Sequence, residues 1–154
     1  MSGGTTTEAL FYHLEHQPLE AVLPQLIEKT LERGWRAVVQ AGSEERLEAL
    51  NQQLWTWRDD SFLPHGRLQD GHPEHQPVYL TTGAENPNSA TVRFVVDGAE
   101  PPDPAGYARL VIMFDGRDEA AVGAARQYWK DLKALGCAVT YWQQGEQGGW
   151  QKKA

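Results

Sequence analysis

Residues 109–114, RLVIMF, constrain this chain more than any other stretch. Five apolar residues in succession leave no polar face. A strand of this kind is buried on both sides, as inner strands of parallel sheets are when helices cover each face. Shorter apolar runs recur at 9–14 (ALFYHL), 36–41 (RAVVQA), 78–81, 91–96 and 137–143 (CAVTYWQ), and helical patterns separate several of them. Leu19, Val22, Leu23, Leu26, Ile27, Thr30 and Leu31 fall on one helix face, with Gly34 as a stop and Pro24 expected to mark or kink the first turns. Leu47, Leu50, Leu54 and Trp57 recur at helical spacing behind Glu44 and Glu45, whose charges suit a first turn. Asp118 is placed to cap a third helix that runs to about Leu135, with Gly136 as its stop. Strands alternating with helices predict an α/β layered domain with a largely parallel sheet and right-handed crossovers.

The length of 154 residues fits one domain, 1–154, with 1–7 and 145–154 expected as tails. A folded chain of this size buries about 68–70% of the surface it exposes unfolded, enough for a core without disulfides or metal. A lone cysteine, Cys137, forms no internal disulfide and fits a reducing cytosol. No apolar run approaches a membrane span, so the chain reads as cytoplasmic.

The formal charge of −7 argues against direct binding to DNA, because phosphate contacts need concentrated Lys and Arg. The charge is unevenly spread. Residues 1–125 hold 9 basic and 19 acidic side chains, and residues 126–154 hold 5 basic and 2 acidic. Such asymmetry points to a partner.

Chemical motifs are sparse. The first strand-to-helix turn, HLEHQPLEAV, has none of the glycines that let a backbone approach a pyrophosphate, and no GKS or GKT follows elsewhere. His72 and His75 are separated by a proline, and the cysteine lies far from them, so they read as solvated loop histidines and no metal or cofactor is expected. Cys137 begins a predicted strand and Ser61 lacks a GxSxG context, so no catalytic set stands out. A small α/β enzyme or nucleotide-binding protein acting on a small molecule is the alternative reading.

Two aromatic clusters remain. In the last helix Ala121, Ala125, Tyr128, Leu132 and Leu135 share one face, the expected core side. Arg126, Lys130 and Lys133 share another at i, i+4 and i+7, with Trp129 at its border. This stripe is either a solvated face whose tryptophan packs on the sheet edge, or a site where cations meet the carboxylates of a short acidic peptide. The second cluster, LWTWRDDSFLPHG, holds Trp55, Trp57, Phe62 and Pro64. Trp57 continues the leucine stripe, while Trp55 and Phe62 are better placed for a contact surface.

Taken in order, FYHL, the LW of Leu54 and Trp55, SFLPHG, QPVYL, RLVIMFDG, ARQYWK and YWQQ resemble the chi subunit family of bacterial DNA polymerase III over nearly the whole chain. The resemblance implies a Rossmann-like three-layer domain without a nucleotide loop, and a bridging, non-catalytic role at the clamp loader. It further implies that Arg126, Trp129, Lys130 and Lys133 receive the acidic, phenylalanine-terminated tail of single-stranded DNA-binding protein. Trp55, Phe62, Pro64 and His65 would then face the psi subunit or an equivalent partner, and DNA would be reached only indirectly. Trp129 stands where many relatives carry a tyrosine, which would exchange a phenolic hydroxyl for an indole N–H.

Overall fold

A computed structural model describes residues 7–55, 66–67, 71–146 and 149–153. The chain runs β1 (Glu8–Leu14), α1 (Leu19–Glu32), β2 (Ala37–Gln40), α2 (Glu44–Trp55), β3 (Gly66–Arg67), β4 (Val78–Thr81), β5 (Val92–Val95), β6 (Arg109–Asp115), α3 (Glu119–Ala134), β7 (Ala138–Gln144) and β8 (Trp150–Lys152). One open sheet carries the strands in the order β3-β4-β2-β5-β6-β1-β7-β8, parallel throughout except for the antiparallel β8. This is the expected three-layer α/β arrangement. Among the described residues, no helix is long and apolar enough to cross a membrane.

RLVIMF forms the inner strand its composition predicts. Leu110, Ile112 and Phe114 enter one core with Phe11, Ala125 and Leu132, while Val111 and Met113 enter the other with Leu23, Ile27 and Val39. The two cores follow from crossover handedness. The connections β1–α1–β2 and β2–α2–β3 move one way along the sheet, and β6–α3–β7 moves the other, so α1 and α2 cover one face and α3 the opposite one.

α1 passes through Pro24 without a break; the missing N–H falls in the second turn, and the ring is buried. α3 is capped by Asp118 as expected, its carboxylate accepting from the amides of Ala120 (3.0 Å) and Ala121 (3.3 Å). Gly136, at φ 90°, turns the chain from the end of α3 into β7.

Two expectations change. Leu135, assigned to the core stripe of the last helix, is 66% exposed. It is the C-cap, one residue past the helix end at Ala134, where the backbone leaves the helical repeat that places Ala125 and Leu132 inward. Trp150–Lys152, read as part of a polar tail, is a strand whose backbone pairs with Trp142–Gln144. Its composition carries no strand signal, and pairing with the open edge of β7 supplies the order.

Candidate functional site

The connections leaving the parallel neighbours β1 and β6 run in opposite directions along the sheet, and their helices go to opposite faces. Open α/β sheets bind ligands at such a point, beyond the carboxyl ends of the strands. A cleft of about 680 Å³ lies there, lined by Leu14, Glu20, Arg46, Asp97, Phe114 and Arg117 among others. Its charges are already engaged. Arg46 bridges Glu20 (2.7 Å) and Asp97 (3.1 Å), and Arg117 binds Asp115 (3.2 Å). Burial raises the Asp97 carboxyl above its ordinary range despite Arg46, as suits a group held for packing.

The amides that would cradle a phosphate in the first strand-to-helix turn are occupied too. Gln144 Oε1 accepts from the backbone N–H groups of Glu15 (3.3 Å), His16 (2.8 Å) and Gln17 (2.9 Å), and its amide nitrogen donates to Gln17 Oε1 (2.8 Å). A buried carboxamide from the last long strand thus sits where a nucleotide fold leaves space for its ligand. The thiol of Cys137 is pushed up by burial and then by Asp103, away from the thiolate a nucleophile needs. His72 and His75 are exposed, each near Glu74, and among the described residues no group of three or more His, Cys, Asp or Glu side chains is gathered to hold a metal.

The exposed side of α3 is chemically different. Arg126, Lys130 and Lys133 project to solvent, and among the described residues none of them makes an ion pair. Trp129 is half-buried. Its ring packs on Phe11 of β1 (centroids 5.4 Å) and Tyr141 of β7 (6.1 Å), so it belongs partly to the core and partly to the surface. The packing of this tryptophan on the sheet edge is thus seen, with part of its ring left at the surface.

Beside it lies a polar patch that sequence reasoning missed. Tyr141 Oη is 2.5 Å from His13 Nδ1, His13 Nε2 is 3.0 Å from Glu15 Oε1, and Gln143 donates to the same carboxylate at 2.8 Å. Burial pushes the Tyr141 hydroxyl above its ordinary range, with the nearby Arg126 charge opposing and Glu15 reinforcing the shift. Gly116 makes room for this cluster, since a Cβ there would fall 1.8 Å from His13 Nε2. The only sequence signal was the presence of His13 and Tyr141 in FYHL and YWQQ; that the two strands are adjacent and in register is a property of the sheet.

The structure thus places Arg126, Trp129, Lys130 and Lys133 on one helix, with Tyr141 beside Trp129 and His13 on the far side of Tyr141. The other predicted set is only partly visible: Trp55 ends α2, its side chain and the positions of Trp57, Phe62, Pro64 and His65 lying outside the described residues.

The geometry amounts to a cationic, aromatic-edged surface on an α/β scaffold whose crevice has its charges paired and its turn amides occupied by Gln144. Comparison with known proteins agrees with the sequence pattern. A family model described as DNA polymerase III chi subunit, HolC, matches residues 6–140. A curated relative named "Probable DNA polymerase III subunit chi", from Rickettsia prowazekii (strain Madrid E), is 33% identical over 85 residues, 55% of this chain. The chain spans about half the length of that relative, 52%. With the family model covering most of its length, the chain belongs to the DNA polymerase III chi subunit family.

Proposed function

We propose that this chain is a non-catalytic accessory subunit of the DNA polymerase III holoenzyme. It bridges single-stranded DNA-binding protein, through that protein's acidic C-terminal tail, to the psi subunit of the clamp loader or an equivalent partner. The observation that carries the reading is the α3 surface: Arg126, Lys130 and Lys133 without ion-pair partners among the described residues, beside a half-buried Trp129, in a chain of net charge −7.

Unpaired cations along a helix offer charge-assisted hydrogen bonds to carboxylates at helical spacing, and arginine can take a carboxylate with two parallel bonds. Arg126, close enough to Tyr141 to influence its hydroxyl, suits the terminal carboxylate. Lys130 and Lys133 suit preceding aspartates. Trp129 offers an indole edge as one wall for the terminal phenylalanine. Trp55, Phe62, Pro64 and His65 are assigned to the psi-facing surface on the strength of the motif alone.

Exposed ion pairs are individually weak, about 0.2–1 kcal/mol, and are screened by salt. A peptide ending in an acidic run plus phenylalanine should therefore bind with micromolar affinity at low ionic strength and weaken as salt rises, measured by fluorescence anisotropy. Arg126→Ala and Lys130→Ala should each weaken binding up to about fivefold, and the double variant more strongly. Undiminished affinity in the double variant would remove the site assignment.

A further inference from the structure

On the sheet face opposite α3, we infer that a trough between α1 and the strands β1, β7 and β8 docks an extended acidic peptide segment from a partner protein. The peptide would insert an aromatic or branched apolar side chain between Tyr12, Trp142 and Trp150 and place carboxylates on Lys29, Arg33 and Lys152.

The trough follows from sheet topology. α1 packs over β2 and β6, and past its edge the same face continues across β1, β7 and β8. Residues opposite one another in register share a face. Tyr12 pairs with Trp142, and Trp142 pairs with Lys152, so these three form a row across the three strands. Trp150 closes over Tyr12 edge-to-face, with centroids 4.9 Å apart and planes at 83°.

Two hollows result, of about 340 Å³ and 190 Å³, and they share Tyr12, Leu26 and Lys29. The first, walled by Trp142 and Trp150, has room for a single large side chain. The second continues along α1 to Arg33, Trp35 and Arg109.

Charge identifies the occupant. Lys29, Arg33 and Arg109 line the two hollows and, among the described residues, no carboxylate does, although Asp and Glu outnumber Lys and Arg by 21 to 14 in the chain. Arg109 is paired with Glu8 at 3.1 Å, while among the described residues Lys29, Arg33 and Lys152 form no ion pair. Apolar walls with an all-cationic rim complement an acidic segment with an apolar anchor.

Single-stranded nucleic acid, which also seeks cations and aromatics, fits less well. It stacks bases on open ring faces. Here Tyr12 meets Trp150 edge-on and Trp35 lies under the guanidiniums of Arg33 (5.2 Å) and Arg109 (5.3 Å), which makes walls and not stacking platforms. The net charge of −7 also opposes a polyanion more than a short peptide.

The full chain can be titrated with a short, C-terminally amidated peptide of aspartates around one phenylalanine and one leucine, while the indole N–H signals of Trp142 and Trp150 are followed by NMR. Amidation removes the terminal carboxylate that the α3 surface would use. Both indole signals should shift saturably, and affinity should fall about tenfold in Lys29→Glu/Lys152→Glu. Replacing the two apolar residues of the peptide by glycine should abolish the shifts, and Arg126→Ala/Lys130→Ala should leave them unchanged. Absence of saturable shifts would overturn the inference, as would loss of binding in the α3 variant with retention in Lys29→Glu/Lys152→Glu. Displacement of the peptide by an equal concentration of oligothymidylate would also overturn it, in favour of nucleic acid.

Discussion

Arg93 shows how a single residue can bind distant loops into the scaffold. Its side chain is fully buried, with Nε donating to Gln40 Oε1 at 2.9 Å and Nη1 to the Glu85 carbonyl and the Tyr107 hydroxyl, both at 3.0 Å; Nη2 donates to the Gly83 carbonyl. An isolated charge at this depth would be untenable, and what makes it tolerable is that the guanidinium makes four hydrogen bonds and the Glu85 charge is near. Arg93→Met leaves these acceptors without a donor and should cost roughly 3–5 kcal/mol, read by urea denaturation. Glu85 itself gives a pH test. Burial alone would raise its carboxyl, but hydrogen bonds from Thr81 and Tyr79 and the Arg93 charge together hold it below its ordinary range. A carboxyl depressed in the folded state stabilises above its unfolded pKa of about 4.3 and loses that contribution as pH falls through the lower folded value. The stability of Glu85→Gln should therefore decline less than that of the parent as pH falls from about 5 towards 3, followed by thermal denaturation at each pH. The strand carrying Arg93 was legible in TVRFVV, yet an arginine between apolar neighbours has no sequence mark of burial. Apart from Gln40 of the neighbouring strand β2, its partners arrive from two loops whose positions depend on the folded sheet.

Elements defined by local rules were the most legible. RLVIMF, the Asp118 cap and the stripe of Arg126, Lys130 and Lys133 each depend on residues within a few positions, so periodicity and capping chemistry suffice. Pairing between elements was not. β8 is ordered by pairing with the edge of β7, and the His13–Tyr141 contact and the Tyr12–Trp142 row of the trough by strand neighbours more than a hundred positions apart. Gln144 belongs to this second class and carries a clear consequence. Gln144→Leu keeps the side-chain bulk but deprives three N–H groups of their acceptor. Water can replace part of the loss at this loop, so the cost should be about 1–3 kcal/mol. Amide exchange at His16 and Gln17 should accelerate while that of the β6 core stays slow, which separates local loosening from global unfolding.

At the scale of the whole molecule, the charge of −7 describes no surface in particular. The acidic excess belongs to residues 1–125, yet that segment also supplies Lys29, Arg33 and Arg109 on one side of the sheet, while Arg126, Lys130 and Lys133 stand on the other. Each cationic group is small in a chain whose net charge is −7. This arrangement favours a short acidic peptide, whose few carboxylates meet the local cations and whose length ends before the repulsive field is felt. A nucleic-acid strand extends past the patch and meets that field, and the few counterions released by three or so phosphate contacts supply little affinity to offset it. In a mobility-shift experiment at moderate salt, the chain alone should leave naked single-stranded DNA unretarded. With DNA already coated by single-stranded DNA-binding protein, it should produce a further shift that Arg126→Ala/Lys130→Ala abolishes. Retardation of naked DNA at the same protein concentration would mean that the local patches outweigh the overall charge, and the route to DNA would then be direct.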